Sequence, residues 1–539
     1  MKKFILLVLF CYSSLSFAQV EDAWIYFQDK PNVQDALARP LSILTQKAID
    51  RKARHNTPID QRDVPVNEKY VATIKNSAGI TYLAKSKWFN CVYVRGELDA
   101  IQELANLTFV ESIDYADNSL DDGMVKKPVI TKKNDQYDKF KLEKKANFDY
   151  ATSEAQTLQI GVDQLHKQGY TGKGITIAVM DSGFPGVATN SVFEQARTEG
   201  RLLESYDFVN RSTDALTGNS HGAHTFSTIA GFVNGQFVGT APNASYHLFI
   251  TEDGPTEGPM EESLWVEAAE RADSLGVDVI NTSLGYSNGF DNPAYNYTPS
   301  DMDGETTFIS RGANIAFAKG MLVVVSAGNS GGNNWGIITA PADAPGAFSI
   351  GAVTGSGNRS GFSSTGPTAD NRIKPDVVAR GSATTIVRAN GDPGVSSGTS
   401  FSSPIIAGAV ASLWEAFPDK TNAEIMQLVR ASASQFANPD NRLGYGIPNF
   451  GSIVETLNTV TNEVASLSLY PNPVKDIIYI SNPIKNQVKA SIYASDGRLV
   501  KKVSFTNKES ILLSDLTSGL YMIKIEGASQ FYQTKFIKQ

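Results

Sequence analysis

The pattern of apolar and polar positions changes character along the chain. Trp88-Phe89-Asn90-Cys91-Val92-Tyr93-Val94 reads as a buried strand, and Leu98, Ile101 and Leu104 recur at helical spacing. Val110 and Ile113 open another strand, so residues 19–116 predict a small α+β unit. From Asp117 to Lys145 the chain is polar and holds the pairs Lys126-Lys127, Lys132-Lys133 and Lys144-Lys145. That marks a solvated, protease-accessible linker over 117–147. Residues 148–455 alternate helical stretches with short continuous apolar runs: Ile175 to Met180, Val277 to Ile280, and Met321 to Ser326. Such runs predict parallel strands buried on both faces, an α/β domain with helices on both sides of its sheet. After a connector at 456–465, the runs Ile477 to Ile480, Val488 to Tyr493 and Leu520 to Ile525 are separated by turns such as Asp496-Gly497 and Ser518-Gly519. This last stretch, 466–539, predicts a small β-sandwich.

Composition narrows the function. With 48 Lys and Arg against 56 Asp and Glu, the 539-residue chain has a formal charge of −8 and no dense basic block, so nucleic acid is not an expected partner. No apolar run reaches the roughly 20 residues of a membrane-spanning helix, so no transmembrane segment is expected. The longest run, Phe4 to Ala18, follows Lys2-Lys3 and ends in Ser16-Phe17-Ala18. A positive start, an apolar stretch and a small-x-small end are the pattern of an export signal, residues 1–18. Cys11 leaves with that signal, so Cys91 is the sole cysteine of the exported chain and is expected as a packed core thiol.

Four short stretches of the α/β segment carry candidate chemistry. Asp181-Ser182-Gly183 directly follows an apolar strand, at the carboxyl end where parallel sheets place their sites. His221-Gly222-Ala223-His224 lies between a polar loop and an apolar helical stretch; Ser326-Ala327-Gly328-Asn329 ends another strand. Gly398-Thr399-Ser400-Phe401-Ser402-Ser403-Pro404 precedes Ile405 to Trp414, apolar enough for a buried helix. Singly, each has a plainer account: a helix cap, a satisfied polar histidine, a loop before a helix. His221 and His224 could ligate a metal, but no third ligand lies near them in sequence.

Together, the order Asp181, His221, Asn329, Ser400, each inside its own motif, resembles the subtilisin family of serine proteases. The order Asp–His–Ser differs from those of chymotrypsin and the α/β-hydrolases. The resemblance implies Ser400 as nucleophile, His221 as general base and Asp181 as the group orienting the imidazole. It implies the Asn329 amide and the Ser400 N–H as oxyanion donors, and Ser283-Leu284-Gly285 with Ser326-Ala327-Gly328 as strands that pair with the substrate backbone. His221 is preferred over His224 because the motif puts the catalytic imidazole first; Ala223 departs from the usual threonine. The neutral Ser330 argues for an apolar or aromatic P1 residue.

The connection Tyr286 to Phe308 is longer than in compact members. It reads as a surface insertion, or more sharply as a flap over the cleft or a Ca²⁺ loop through Asp301-Met302-Asp303-Gly304, though no complete ligand pattern is visible. Many subtilisins bind structural Ca²⁺, whereas their catalysis needs no cofactor; no metal ligand is assigned in this chain. By position, residues 19–116 resemble the family's inhibitory propeptide. Leu469-Tyr470-Pro471-Asn472-Pro473-Val474, Asp496-Gly497-Arg498, Ser518-Gly519-Leu520-Tyr521 and the end Lys535 to Gln539 resemble a type IX secretion sorting domain. The implied protein is a secreted serine endopeptidase, made as a self-inhibited proenzyme. It acts on proteins and peptides and passes through the periplasm to the type IX machinery. The alternatives are an inactive surface-binding protein on the same scaffold and an esterase.

Overall fold

The computed structural model describes residues 19–121, 147–454, 469–480, 487–494, 498–506, 510–526 and 531–539. The export-signal segment, the body of the 117–147 linker and the 456–465 connector lie outside them. The chain divides into two compact units, one ending at Gly451 and one running from Ser452 to Gln539.

The first unit is organised by a seven-stranded sheet. From edge to edge its strands are Val377–Arg380, Ala347–Val353, Leu322–Ser326, Val279–Thr282, Thr176–Asp181, Ser245–Ile250 and Leu202–Asp207. All neighbours pair in parallel, as the continuous apolar runs predict. The chain leaves Thr176–Asp181 for one edge, returns beside it through Ser245–Ile250, and then builds outward on its other side. The strand order therefore reverses at Asp181, the place where open parallel sheets form their crevice. On one face, Ala178, Met180, Ile280, Val323 and Val325 pack against Leu264, Trp265 and Ala268 of the helix Pro259–Leu275 and Ile309 and Ala313 of the helix Phe308–Ala318. The helices His221–Ala230 and Thr399–Ala416 pack together, and the second lies along the central strands. The expected strand Val277 to Ile280 is in fact Val279–Thr282: its carboxyl end is the polar pair Asn281-Thr282, buried like the apolar residues before it.

Residues 19–121 form a second layer docked on the helices. Four antiparallel strands lie in the order Ile80–Ser86, Cys91–Glu97, Val20–Phe27, Val110–Tyr115. Alternation splits the faces of this sheet. Ala23, Ile25, Val92 and Val94 pack beneath Val71, Ile74 and Ile101 of the unit's own helices, whereas Trp24, Cys91 and Tyr93 join the core of the α/β domain. Trp24 stacks on Phe308, centroids 4.9 Å apart, and its Nε1 donates to Ser263 Oγ at 2.9 Å. Glu270 accepts from Ser86 Oγ at 2.5 Å and from the N–H groups of Lys87 and Trp88 at 2.8 and 2.9 Å; burial pushes its carboxyl up to about 7.

The connection after Gly285 is not a bare surface insertion. Phe290, Tyr295 and Tyr297 are buried, and Tyr295 reaches the docked layer, its hydroxyl accepting from Asp22 N at 3.2 Å and donating to Glu21 at 3.1 Å. Two of its acids serve local turns: Asp301 accepts from Thr298 N at 2.7 Å, and Asp303 from the N–H groups of Glu305 and Thr306 at 2.8 Å each. Among the described residues, no three His, Cys, Asp or Glu side chains are grouped to hold a metal ion.

The sequence pattern gave no sign of an arm, residues 28–67, inserted between the first strand of this layer and the helix Glu68–Lys75. Its helix Gln46–Arg54 is capped by Thr45, whose Oγ1 accepts from Ala48 N at 3.2 Å and whose N–H donates to Ser274 O at 3.0 Å. Ala48 lies so close to Gly276 (φ +82°) that a Cβ there would come within 2.7 Å of the Ala48 nitrogen. The arm buries charge. Arg51 contacts Asp273, Lys52 reaches Asp273 at 2.8 Å and Asp63 at 3.0 Å, and Lys319 reaches Asp63 at 2.8 Å. Burial opposes ionisation of Asp273, but Arg51 and Lys52 outweigh it and hold its carboxyl well below the usual range.

The second unit packs a three-stranded sheet (Leu469–Tyr470, Ile477–Ile480, Ser510–Leu512) and a four-stranded one (Leu499–Thr506, Gln487–Ala494, Gly519–Glu526, Phe531–Lys538) around Val474, Ile478, Ile492, Ile523 and Phe536. That is a two-sheet β arrangement, with strands at 499–506, 510–512 and 531–538 that apolar runs alone did not reveal.

Asp273→Asn is expected to leave Arg51 and Lys52 buried without their counter-charge and to destabilise the first unit by about 3–5 kcal/mol. Equilibrium denaturation of the full chain checks this, and a loss under 1 kcal/mol would refute it.

Candidate active site

Asp181 is the last residue of the central strand and is buried. Across the crevice, His221 is the first residue of its helix, and its Nδ1 lies 2.8 Å from Asp181 Oδ1. An ionised carboxylate only accepts, so Nδ1 carries the proton and Nε2 is left as the basic nitrogen. The remaining capacity of Asp181 is filled by Ser182 N at 2.8 Å, Ser182 Oγ at 3.2 Å and Thr225 Oγ1 at 3.3 Å. Gly222 permits this approach: a Cβ there would meet Gly183 O at 2.4 Å and Asp181 Cβ at 2.9 Å. The Asp181 charge raises the pKa of His221 against the opposing effect of burial. His224, one turn on, is shifted downward, by burial first and by His221 second.

Ser400 is the second residue of the helix Thr399–Ala416. Its Oγ donates to Ser283 O at 3.2 Å, so the hydroxyl is parked against the neighbouring strand and not on the imidazole. Asn329 is fixed through its amide oxygen, which accepts from Thr399 N at 2.9 Å and Thr399 Oγ1 at 3.0 Å. Its Nδ2 is thereby turned toward the same space as the Ser400 N–H. A point one Cβ bond off Gly398 lies 3.6 Å from Asn329 Nδ2 and 3.7 Å from Ser400 N. Both nitrogens therefore lie near one point beside the start of the Ser400 helix.

The expected substrate segments follow two adjacent parallel strands: Ser283, Leu284 and Gly285 after Val279–Thr282, and Ser326, Ala327 and Gly328 at the end of Leu322–Ser326. Ser326 Oγ donates to Leu284 O at 3.3 Å, tying the two together. Gly285 and Gly328 are also required by packing, since a Cβ at either would come within 2.2 or 3.0 Å of Thr339 Oγ1. All ten expected site residues therefore gather at the carboxyl end of one sheet.

Sequence reasoning missed the wall beside them. A cavity of about 400 Å³ opens next to Asp181, His221 and Leu284, and it is lined by Glu252, Asp253, Glu257, Glu261 and Asp291 with no Lys or Arg. Burial pushes Glu252 up to about 8, and burial with the Glu252 charge pushes Glu261 up to about 10. The available signal was the acidic run that starts directly after the strand Ser245–Ile250.

Comparison with known proteins identifies the family. The profile of the Subtilase family matches residues 172–446, about half of the chain. The chain belongs to the subtilase family. This subtilase is 30% identical over 292 residues to subtilisin E of Bacillus subtilis (strain 168), an alignment covering 53% of this chain and 68% of that protein. It is 27% identical over 337 residues to the serine protease AprX of the same strain, covering 57% and 71%. Among solved structures, the MycP3 protease from the type VII (ESX-3) secretion system matches with 22% identity and a TM-score of 0.45, covering 58% of this chain and 91% of that one. Residues 22–136 match the Peptidase S8 propeptide domain of Bacteroidota, and residues 468–539 match the secretion system C-terminal sorting domain. The protein is thus a serine endopeptidase with a propeptide domain, and a type IX sorting domain directs its secretion.

With its pKa raised by Asp181, the His221 imidazole should titrate above its ordinary value of about 6.5. The stabilising pair is then complete below that value and lost as pH rises through the shifted one. Asp181→Asn should move the midpoint down in a histidine NMR titration; an unmoved midpoint would show that the contact does not exist in solution.

Proposed function

We propose that this subtilase hydrolyses peptide bonds through Ser400, His221 and Asp181, with Asn329 and the Ser400 N–H as oxyanion donors, and that residues 19–116 hold it as a self-inhibited proenzyme. The observation that carries this reading is the 2.8 Å contact of His221 with Asp181 at the same sheet end as Ser400.

The chemistry follows from the groups. Ser400 Oγ turns from the Ser283 carbonyl toward His221 Nε2 and attacks the scissile carbonyl carbon as its proton passes to that nitrogen. The electron pair pushed onto the carbonyl oxygen is received by Asn329 Nδ2 and Ser400 N–H. The carbon–nitrogen bond then breaks, and His221 returns the proton to the departing amine. Water repeats the sequence on the acyl-enzyme, releasing the acid and restoring Ser400. Asp181 stays ionised and keeps the imidazole in register.

Substrate choice has two parts. By family resemblance Ser330 lies near the rim of the main specificity pocket, and its neutral side chain favours an apolar or aromatic P1 residue. The cavity beside His221 is lined by carboxyls with no Lys or Arg and suits a basic side chain elsewhere in the peptide, whose charge would favour ionisation of the carboxyls that burial holds protonated. Inhibition by the propeptide is supported by its extensive docking onto the helices Pro259–Leu275 and Phe308–Ala318, and by the approach of Ala116, Asn118 and Asp121 to Pro259 and Tyr295.

A fluorophosphonate probe should label the secreted wild type and not Ser400→Ala, with intact mass showing loss of the propeptide from the labelled form. A folded, processed wild type that stays unlabelled refutes the catalytic reading. In subtilisin itself, removal of the oxyanion asparagine costs about 100- to 1,000-fold in kcat, and Asn329→Leu is expected to lose activity on that scale. A peptide library should show apolar or aromatic P1 residues; cleavage confined to sites after Lys or Arg would overturn that preference.

A further inference from the structure

The helix that carries Ser400 lacks one of its own hydrogen bonds at the nucleophile. In an α-helix the carbonyl of each residue accepts from the N–H four residues ahead. For Ser400 that residue is Pro404, inside the helix, which has no N–H and whose ring crowds this same carbonyl. The Ser400 N–H is also unbonded within the helix, being one of the first four. The first turn therefore cannot fix the nucleophile by its own ladder.

Side chains from the strand Val279–Thr282 and the residue just beyond it take over. Ser283 Oγ donates to Ser400 O at 3.0 Å, in place of the missing N–H. That hydroxyl accepts from Asn281 Nδ2 at 3.1 Å, and Asn281 Oδ1 accepts from Ser403 Oγ at 3.1 Å. The bonds run one way, Ser403 to Asn281 to Ser283 to Ser400, and close a ring through the helix turn itself. All four side chains are buried, Asn281 and Ser403 completely. In that setting each bond strengthens its neighbour, and each broken one leaves an unpaired group.

We propose that Ser283 and Asn281 are positioning residues for the nucleophile. They hold the Ser400 backbone in the place that Pro404 prevents the helix from holding. The proposal rests on Ser400 being the nucleophile and deepens that reading. It puts the supports of Asp181 and Ser400 on adjacent strands: Asp181 ends the central strand, and Ser400 hangs from the next one. It also separates two jobs of Ser283, whose main chain faces substrate by family resemblance while its hydroxyl faces the helix.

The test uses the full chain and a reciprocal pair of substitutions. Ser283→Ala removes the donor to the Ser400 carbonyl; Pro404→Ala supplies the missing backbone N–H. Ser283→Ala is expected to slow fluorophosphonate labelling at least 10-fold and to lower kcat on a peptide by a similar factor, with KM changed less than 2-fold. Adding Pro404→Ala to Ser283→Ala should recover at least 3-fold of the labelling rate. Ser403→Ala removes only the far end of the chain of bonds and should fold readily; a 3-fold or greater slowing is expected. Labelling of Ser283→Ala and Ser403→Ala within 2-fold of a labelled wild type overturns the positioning role and leaves Ser400 as nucleophile. The positioning role is equally overturned if Pro404→Ala makes the Ser283→Ala enzyme slower still. An unlabelled wild type overturns both readings.

Discussion

A hydroxyl, an imidazole, a carboxylate and two N–H donors cooperate only if chain segments far apart in sequence are held at hydrogen-bond distance. In this protein the carboxyl end of one parallel sheet imposes that constraint. Asp181 ends the central strand, Ser283 and Asn329 follow the next two, and His221 and Ser400 open helices that point into the same crevice. At a strand's end the ladder stops and its side chains are released from the need to be apolar. The sheet thus supplies both rigidity and a place where polar groups can face one another.

The same circumstance explains what could be read from the sequence. The apolar runs located the central strands because their interiors are buried on both faces. Their carboxyl ends were read short: Asn281 and Thr282 are strand residues, yet polar, so hydrophobic patterning ended the strand at Ile280. Asp181, His221, Asn329 and Ser400 were legible because each sits inside a motif. The supporting groups were not. Asn281 matters only because Ser403 and Ser283 lie on either side of its amide, a fact of tertiary contact that no spacing encodes. The acidic wall was visible as composition, but nothing local says that Glu252 and Asp291 share one cavity with His221.

The Tyr286 to Phe308 stretch shows how a remote partner changes the reading of a segment. Aromatics and acids interleaved in a long connection suggest a flap or an ion loop when the partner is unknown. The partner is the sheet of residues 19–121, remote in sequence. It turns Tyr295 into an anchor for Asp22 and Glu21 and Phe308 into a platform for Trp24. A sequence records which side chains could be buried; what buries them is decided by the domain that docks.

That docking surface also bears on the propeptide's proposed release. A wholly apolar interface would bind firmly but would leave a large sticky face on the mature enzyme. Here the aromatic contact around Trp24 and Phe308 is flanked by the charges of Arg51, Lys52, Asp63, Asp273 and Lys319. Buried ion pairs gain little net stability, because desolvation offsets their attraction, yet each is costly to mispair. They therefore fix the register of the docked arm without adding much to its hold. Once the arm departs, Asp273 and Lys319 are rehydrated and need no replacement partner. Specific docking and release are then compatible, because the surface uses charge to choose its partner and the apolar contact around Trp24, Trp88 and Tyr93 to hold it.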